Sequence, residues 1–202
     1  MGWSPSYATV GELAAQTRIG DTADDAQLSL AVATASRAID DRCKRQFGHV
    51  PVVEARSYVP RASRARSGWL VPIDDLMTTT GLSVAVDVTG SGALDLAVTA
   101  YTLRPTNAVP KGRPWTELLI PAAVVPVVVG AVEVTALWGW PGVPDSIRQA
   151  CLLQASRLLA RRDAPFGVAG SPETGSELRL LARLDPDVAV AVEPYRRRVW
   201  AA

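Results

Sequence analysis

Histidine is almost missing from this chain of 202 residues, since His49 is its only one. A Ser-His-Asp triad or a multi-histidine metal centre would have to turn on that single imidazole. It stands beside Phe47 and Gly48, just past a helical segment, and reads as an ordinary helix-exit residue. Cysteine is scarce as well: Cys43 and Cys151 lie far apart in helix-like patterns, too few for a secreted disulfide scaffold or a closed four-ligand zinc site. Both are expected to be reduced and buried, in a protein made in the cytoplasm. Phosphate loops are missing too. Thr89-Gly90-Ser91-Gly92 has two glycines, but no Walker lysine follows and no G-x-G-x-x-G is completed, so it reads as a tight turn. The expectation is a chain that is not an enzyme, with no catalytic residues, no metal and no cofactor.

Net charge is nearly absent. The 21 basic residues face 20 acidic ones, a formal +1, which gives the molecule as a whole little attraction for phosphate. Asp24-Asp25, Asp40-Asp41 and Asp74-Asp75 are the paired carboxylates that acid-base or two-metal chemistry uses, but neighbours on a helix point about 100° apart and converge poorly. The first pair reads as helix-start charge and the second as solvated surface. The opening MGWSPSYATVGE lacks the basic and apolar regions of a signal peptide. The longest apolar run, 121–140, is interrupted by Pro121, Pro126, Gly130 and Glu133. Its second half alternates Val132, Val134 and Ala136 with Glu133 and Thr135, the pattern of a half-buried strand, so no membrane partner is expected.

What is present is a change of periodicity along the chain. Thr9-Val10-Gly11-Glu12 carries the side chains of a capping box. Carboxylates from Asp21 to Asp25 suit the positive end of a second helix, in which Leu28, Val32, Ala35, Ile39 and Cys43 recur at steps of three or four; Arg42, Lys44 and Arg45 suit its negative end. From Val52 to Trp138 β-branched residues take over, and strands are expected at 52–59, 82–88, 94–98, 101–103, 115–120 and 131–138. After Pro144 helical spacing returns, with Ile147, Cys151, Leu152, Ala155, Leu158 and Leu159 on one face and Arg161-Arg162 at the end. Leu184-Asp185-Pro186-Asp187-Val188 reads as the N-cap, first-position proline and first turn of a last helix. The expected fold class is α+β, a small helical bundle formed by N- and C-terminal segments with an inserted β-rich lobe. The helical core takes 1–50 and 141–202, and the lobe takes 51–140, with a basic mobile loop near 56–68.

Three groups of residues stand out as surfaces. Arg56, Arg61, Arg64 and Arg66, with Tyr58 nearby, form the densest basic stretch, suited to a DNA-facing loop, with a solvated mobile loop as the plainer reading. Trp138, Trp140 and Pro144 are expected at the seam between lobe and helical core, with Gly139 giving the backbone room. Tyr195, Arg196, Arg197, Arg198 and Trp200 offer a charged handle and an aromatic anchor for a neighbour.

Several blocks, in this order, carry a resemblance. They are Tyr7, Thr9, Glu12 and Leu13; Arg45-Gln46-Phe47; W-G-W-P-x-V-P-x-x-I-x-Q-A from Trp138; R-R-x-A-P-x-G from Arg161; and L-D-P-D-V with P-Y-R, ending at Arg196. Together the chain resembles the head-tail connector, or head-completion adaptor, family of long-tailed bacteriophages. The resemblance implies a structural virion protein made in the host cytoplasm and placed at the head-tail junction. It implies a self-assembled ring, commonly of twelve subunits, under the portal protein, with a downstream neck or stopper protein on its other side and DNA passing without sequence specificity. Trp138, Trp140, Ile147, Gln154, Arg161, Arg162, Pro165 and Gly167 would be scaffold, and Tyr195 to Trp200 the portal or neighbour interface. A conduit must not grip DNA, and a near-neutral chain suits that task. The alternative is a nucleic-acid-binding module using the Arg56 to Arg66 stretch.

Overall fold

The computed structural model describes residues 3–20, 23–63, 68–94, 96–124, 132–163, 168–169, 178–179 and 184–197. Its fold class is α+β, with four helices and two four-stranded antiparallel sheets among the described residues. Contacts divide the chain into two units, Met1–Phe47 with Val143–Ala202, and Gly48–Gly142.

The first unit is helical: α1 (Val10–Thr17), α2 (Asp25–Cys43), α3 (Asp145–Asp163) and α4 (Pro186–Val192). The capping box starts α1 as expected, with Thr9 Oγ1 accepting the Glu12 N–H at 3.2 Å and the Glu12 carboxylate accepting the Thr9 N–H at 2.7 Å. On α2 the stripe Leu28, Val32, Ala35, Ile39 and Cys43 is buried, with Ala31 and Ser36 beside it. These small residues let α3 come close: Ser36 Oγ lies 3.4 Å from Cys151 Sγ. Ile147, Cys151 and Ala155 are buried on α3, whereas Leu158 and Leu159 are only half-buried. Pro144 launches α3 by accepting the N–H groups of Ile147 and Arg148 at 2.9 and 3.0 Å. Asp185 caps α4 through the N–H of Asp187 at 2.7 Å, with Pro186 in the first position.

The second unit holds β1 (Glu54–Tyr58), β2 (Arg61–Ser63), β3 (Gly68–Leu76), β4 (Ser83–Val86), β5 (Leu96–Ala97), β6 (Thr102–Arg104), β7 (Trp115–Pro121) and β8 (Val132–Ala136). One sheet runs β1-β8-β4-β5 and the other β2-β3-β7-β6, all pairings antiparallel. Alternation places Val132, Val134 and Ala136 inside, and Val71, Ile73, Leu118 and Ile120 form the buried side of the other sheet. Back in the first unit, a short ladder joins β9 (Val168–Ala169) to β10 (Leu178–Arg179).

Two expectations need correction. The strand Gly68–Leu76 is the longest among the described residues, yet Pro72 and Asp74-Asp75 hide it from pattern reading. A proline is tolerated inside this central strand because the ladder shifts register between Pro72 and Leu76. The stretch read as a loop near 56–68 is strand at both ends, with Arg56 paired to Val134 and Arg61 paired to Leu70; Arg64 and Arg66 lie outside the described residues.

Candidate functional site

The C-terminal segment is laid along the end of α2. Cys43 Sγ points to the Val192 carbonyl at 3.7 Å, Arg42 pairs with Glu193 at 2.7 Å, and the Arg197 N–H donates to the Cys43 carbonyl at 2.8 Å. That last bond satisfies one of the carbonyls a helix end leaves open. Between these anchors the Tyr195 ring stands edge-on to Phe47, centroids 5.6 Å apart, and Phe47 stands edge-on to Tyr7, also at 5.6 Å. Ser146 Oγ lies 2.9 Å from the Tyr195 hydroxyl. Tyr195 is therefore an internal support, whereas Arg196 is exposed, with its guanidinium 3.7 Å from the Glu193 carboxylate and its N–H donating to the Glu193 carbonyl at 3.1 Å. Arg198 and Trp200 lie outside the described residues.

Tyr7 continues this support inward. Its hydroxyl donates to Asp40 and accepts the Phe47 N–H at 3.0 Å. Burial, then the hydrogen bond to Asp40, pushes the phenol well above its usual range. Asp40 also pairs with Arg37 at 3.0 Å, and burial holds its carboxyl above the ordinary aspartate value despite these partners. The solvated-surface reading of Asp40-Asp41 thus holds for exposed Asp41 and fails for Asp40, because a buried phenol needs an acceptor.

In the β unit, Arg56 is spoken for. Its guanidinium meets Asp74 at 2.8 Å and Glu54 at 3.0 Å, and lies 5.1 Å from the Trp138 ring centre. Burial alone would lower its pKa, but the Asp74 and Glu54 hydrogen bonds outweigh that and raise it. Tyr58 donates to the same Asp74 oxygen at 3.0 Å and leans on Trp138 at 5.7 Å. Of the arginines expected to face DNA, Arg61 is described as exposed and Arg56 is drawn into a local network.

Trp138 and Trp140 are 1% and 3% exposed, so their ring N–H groups must find partners. Trp138 donates to the Glu54 carbonyl at 2.9 Å and Trp140 to the Asp75 carboxylate at 2.9 Å. Gly139 between them takes φ +114°, and its N–H donates to the Asp75 carbonyl at 2.7 Å. All these contacts lie within 48–142. His49 is exposed, and its Nδ1–H donates to the carbonyl of the next residue, Val50, at 2.8 Å.

Sequence reading missed Asp87. Its carboxylate accepts N–H groups from Thr89, Gly90 and Gly92 at 3.0, 2.7 and 2.8 Å and thereby shapes the Thr89–Gly92 turn. An aspartate two residues before a Thr-Gly-Ser-Gly turn was the available signal. Cys43 and Cys151 are free and buried; burial pushes the Cys43 thiol up to about 11 and raises that of Cys151. Among the described residues no group of three or more His, Cys, Asp or Glu side chains is arranged to hold a metal, and no helix is long and apolar enough to cross a membrane. The assembled features are packed aromatics, closed ion pairs and capped turns, which fix a shape.

No protein-family model matches the chain, and no curated protein matches it. Among solved structures it is similar to a chain in the neck of an empty GTA particle computed with C6 symmetry, at 20% identity and a TM-score of 0.57. The match covers 100% of this chain and 96% of that one, so the likeness extends over the fold of both units.

Proposed function

We propose that this protein is a structural adaptor in the neck of a phage-like particle. In this reading copies form a ring of twelve under the portal protein, a downstream neck or stopper protein binds the other side, and DNA passes through without sequence recognition. The protein then resides at the head-tail junction of the virion and carries out no chemical reaction. One observation carries the proposal: end-to-end similarity to a chain from a particle neck, a gene transfer agent being phage-like. A symmetric assembly around that neighbour accords with a ring. The near-neutral charge supports a conduit, because every phosphate neutralised would add salt-sensitive grip. Engagement of Arg56 with two carboxylates weakens the competing nucleic-acid reading.

Mixing the purified protein with portal rings encoded beside it, and imaging the product by electron microscopy, tests the reading. The expected result is an added storey of density on one face of the portal. Persistent absence of a complex, together with steeply salt-dependent DNA binding by the isolated protein, would overturn it.

A further inference from the structure

We infer that copies of this chain meet through their β units, the outer face of sheet β2-β3-β7-β6 on one copy stacking against the outer face of sheet β1-β8-β4-β5 on the next. The inference deepens the neck reading and rests on it for the ring in which such contacts repeat. Both faces belong to the second unit. Val71, Ile73, Leu118 and Ile120 turn inward from the first sheet, and Val132, Val134 and Ala136 from the second, so the alternate residues of each look outward.

Strand register arranges those outward residues in rows. On the first sheet Arg61 pairs with Leu70, Leu70 with Leu119, and Leu119 with Thr102. On the second, Ser57 pairs with Glu133, Glu133 with Ala85, and Ala85 with Ala97. One row offers a cation followed by two leucines, the other an anion followed by two alanines. Neighbouring strands are about 4.8 Å apart in both sheets. Stacked one strand out of step, the rows set Arg61 on Glu133, Leu70 on Ala85 and Leu119 on Ala97, so that large side chains meet small ones.

Charge complementarity makes the occupant a second copy. Arg61 is exposed and Glu133 half-buried, and neither has an ion-pair partner among the described residues. Arg104 and Glu117, the other charges in the outward rows of the first sheet, stand 4.0 Å from each other. Two copies of one face would bring like charges together, whereas the two different faces bring opposite charges together. Joining different faces is a head-to-tail contact, which repeats from copy to copy and can close a ring. A face four strands wide and about four residues long covers about 250 Å², so one contact buries about 500 Å² across both copies, less than half of what stable interfaces need. A single contact is weak, and contacts repeated around a ring reinforce one another.

Zero-length cross-linking tests the contact. Arg61→Lys keeps the cation and supplies an amine in a chain whose own lysines are Lys44 and Lys111. In the concentrated full-length protein a carbodiimide should join that amine to Glu133 of another copy, and mixing isotope-labelled with unlabelled chains identifies the bond as intermolecular by peptide mass. Separately, sedimentation velocity should show self-association weakened about tenfold by Glu133→Arg and by Arg61→Glu, and restored to within about threefold when one chain carries both. An unchanged urea midpoint marks each variant as folded. If no such bond forms, or it lies within one chain, or the charge exchange restores nothing, the inference is overturned. These readouts use no portal. A chain that passes them yet never adds to portal rings refutes the neck reading alone, and one that joins portal rings but fails them refutes this contact alone.

Discussion

Replacing Gly139 with alanine tests whether the Trp138-Gly139-Trp140 corner is as tightly built as its geometry says. At φ +114° the backbone lies where side chains are scarcely tolerated. The added Cβ would sit on the Gly48 carbonyl oxygen and 2.8 Å from His49 Cα. These are backbone atoms and cannot rotate away. They are also tied down, because the Gly48 carbonyl accepts the Trp140 N–H at 2.8 Å while the Gly139 N–H reaches Asp75 at 2.7 Å. Relief of the clash would sacrifice both bonds, about 1 kcal/mol each, on top of about 1–3 kcal/mol of backbone strain. The expected loss is about 3–5 kcal/mol, a large share of the roughly 5–15 kcal/mol that holds a domain folded.

Urea unfolding followed by tryptophan fluorescence reads this directly, since two indoles flank the corner. Two other glycines calibrate it. Gly142→Ala meets nothing within 4 Å and should stay within about 0.5 kcal/mol of the parent. Gly92→Ala, at φ +82° in open space, should show backbone strain alone, about 1 kcal/mol. If Gly139→Ala costs under about 1 kcal/mol, or no more than Gly92→Ala, the backbone-clash argument is wrong.

Three further expectations follow from buried polar groups. Tyr7→Phe strips the acceptor from the buried Phe47 N–H and the donor from Asp40, and should cost about 2 kcal/mol in the same unfolding assay; a neutral result would show that neither bond matters. Both thiols should react with a disulfide reagent at pH 8 about a hundredfold more slowly in the folded protein than in urea, because burial keeps them protonated and covered. Asp87 is drawn down by three N–H donors that outweigh its burial, so its stabilisation is full above the unfolded value near pH 4 and is lost as pH falls through the folded one. Asp87→Asn should accordingly flatten the acid limb of stability against pH, and an unchanged limb would rule the turn out as its source.

Local signals were legible and distant pairings were not. Thr9 with Glu12, the α2 stripe and Asp185-Pro186 each act within about one or two helical turns, so their side chains announce the structure they make. The strand Gly68–Leu76 was hidden because its proline is accommodated by a register shift in the pairing with β7, which no short window contains. Asp40 looked solvated because its partner Tyr7 lies 33 residues away. The arginine stretch looked uniformly free for the same reason: Asp74, which meets Arg56, is 18 residues downstream on another strand. The family blocks pointed at Trp138 and Trp140 without saying why those rings are needed. Their ring N–H groups close on Glu54 and Asp75, which only the folded lobe brings near.

Arg56 is where the structural and nucleic-acid readings part most sharply. A DNA-contacting arginine keeps its guanidinium for phosphate, so its loss weakens binding and lowers the salt slope by about one while leaving stability nearly alone. Here the guanidinium is divided between Asp74, Glu54 and the Trp138 face. Arg56 is 31% exposed and its carboxylate partners 47% and 41%, so solvent limits the ion pairs together to about 1 kcal/mol. The contact with Trp138 adds about 0.5–1 kcal/mol. Arg56→Ala should therefore lower stability by about 1–2 kcal/mol, and Asp74→Ala should cost less in that background than in the parent, the difference being the coupling a double-mutant cycle reads. Retention on a DNA column should not change. Should Arg56→Ala instead leave the unfolding midpoint in place and shift elution from DNA to lower salt, the network would be incidental and the strand would be a nucleic-acid contact.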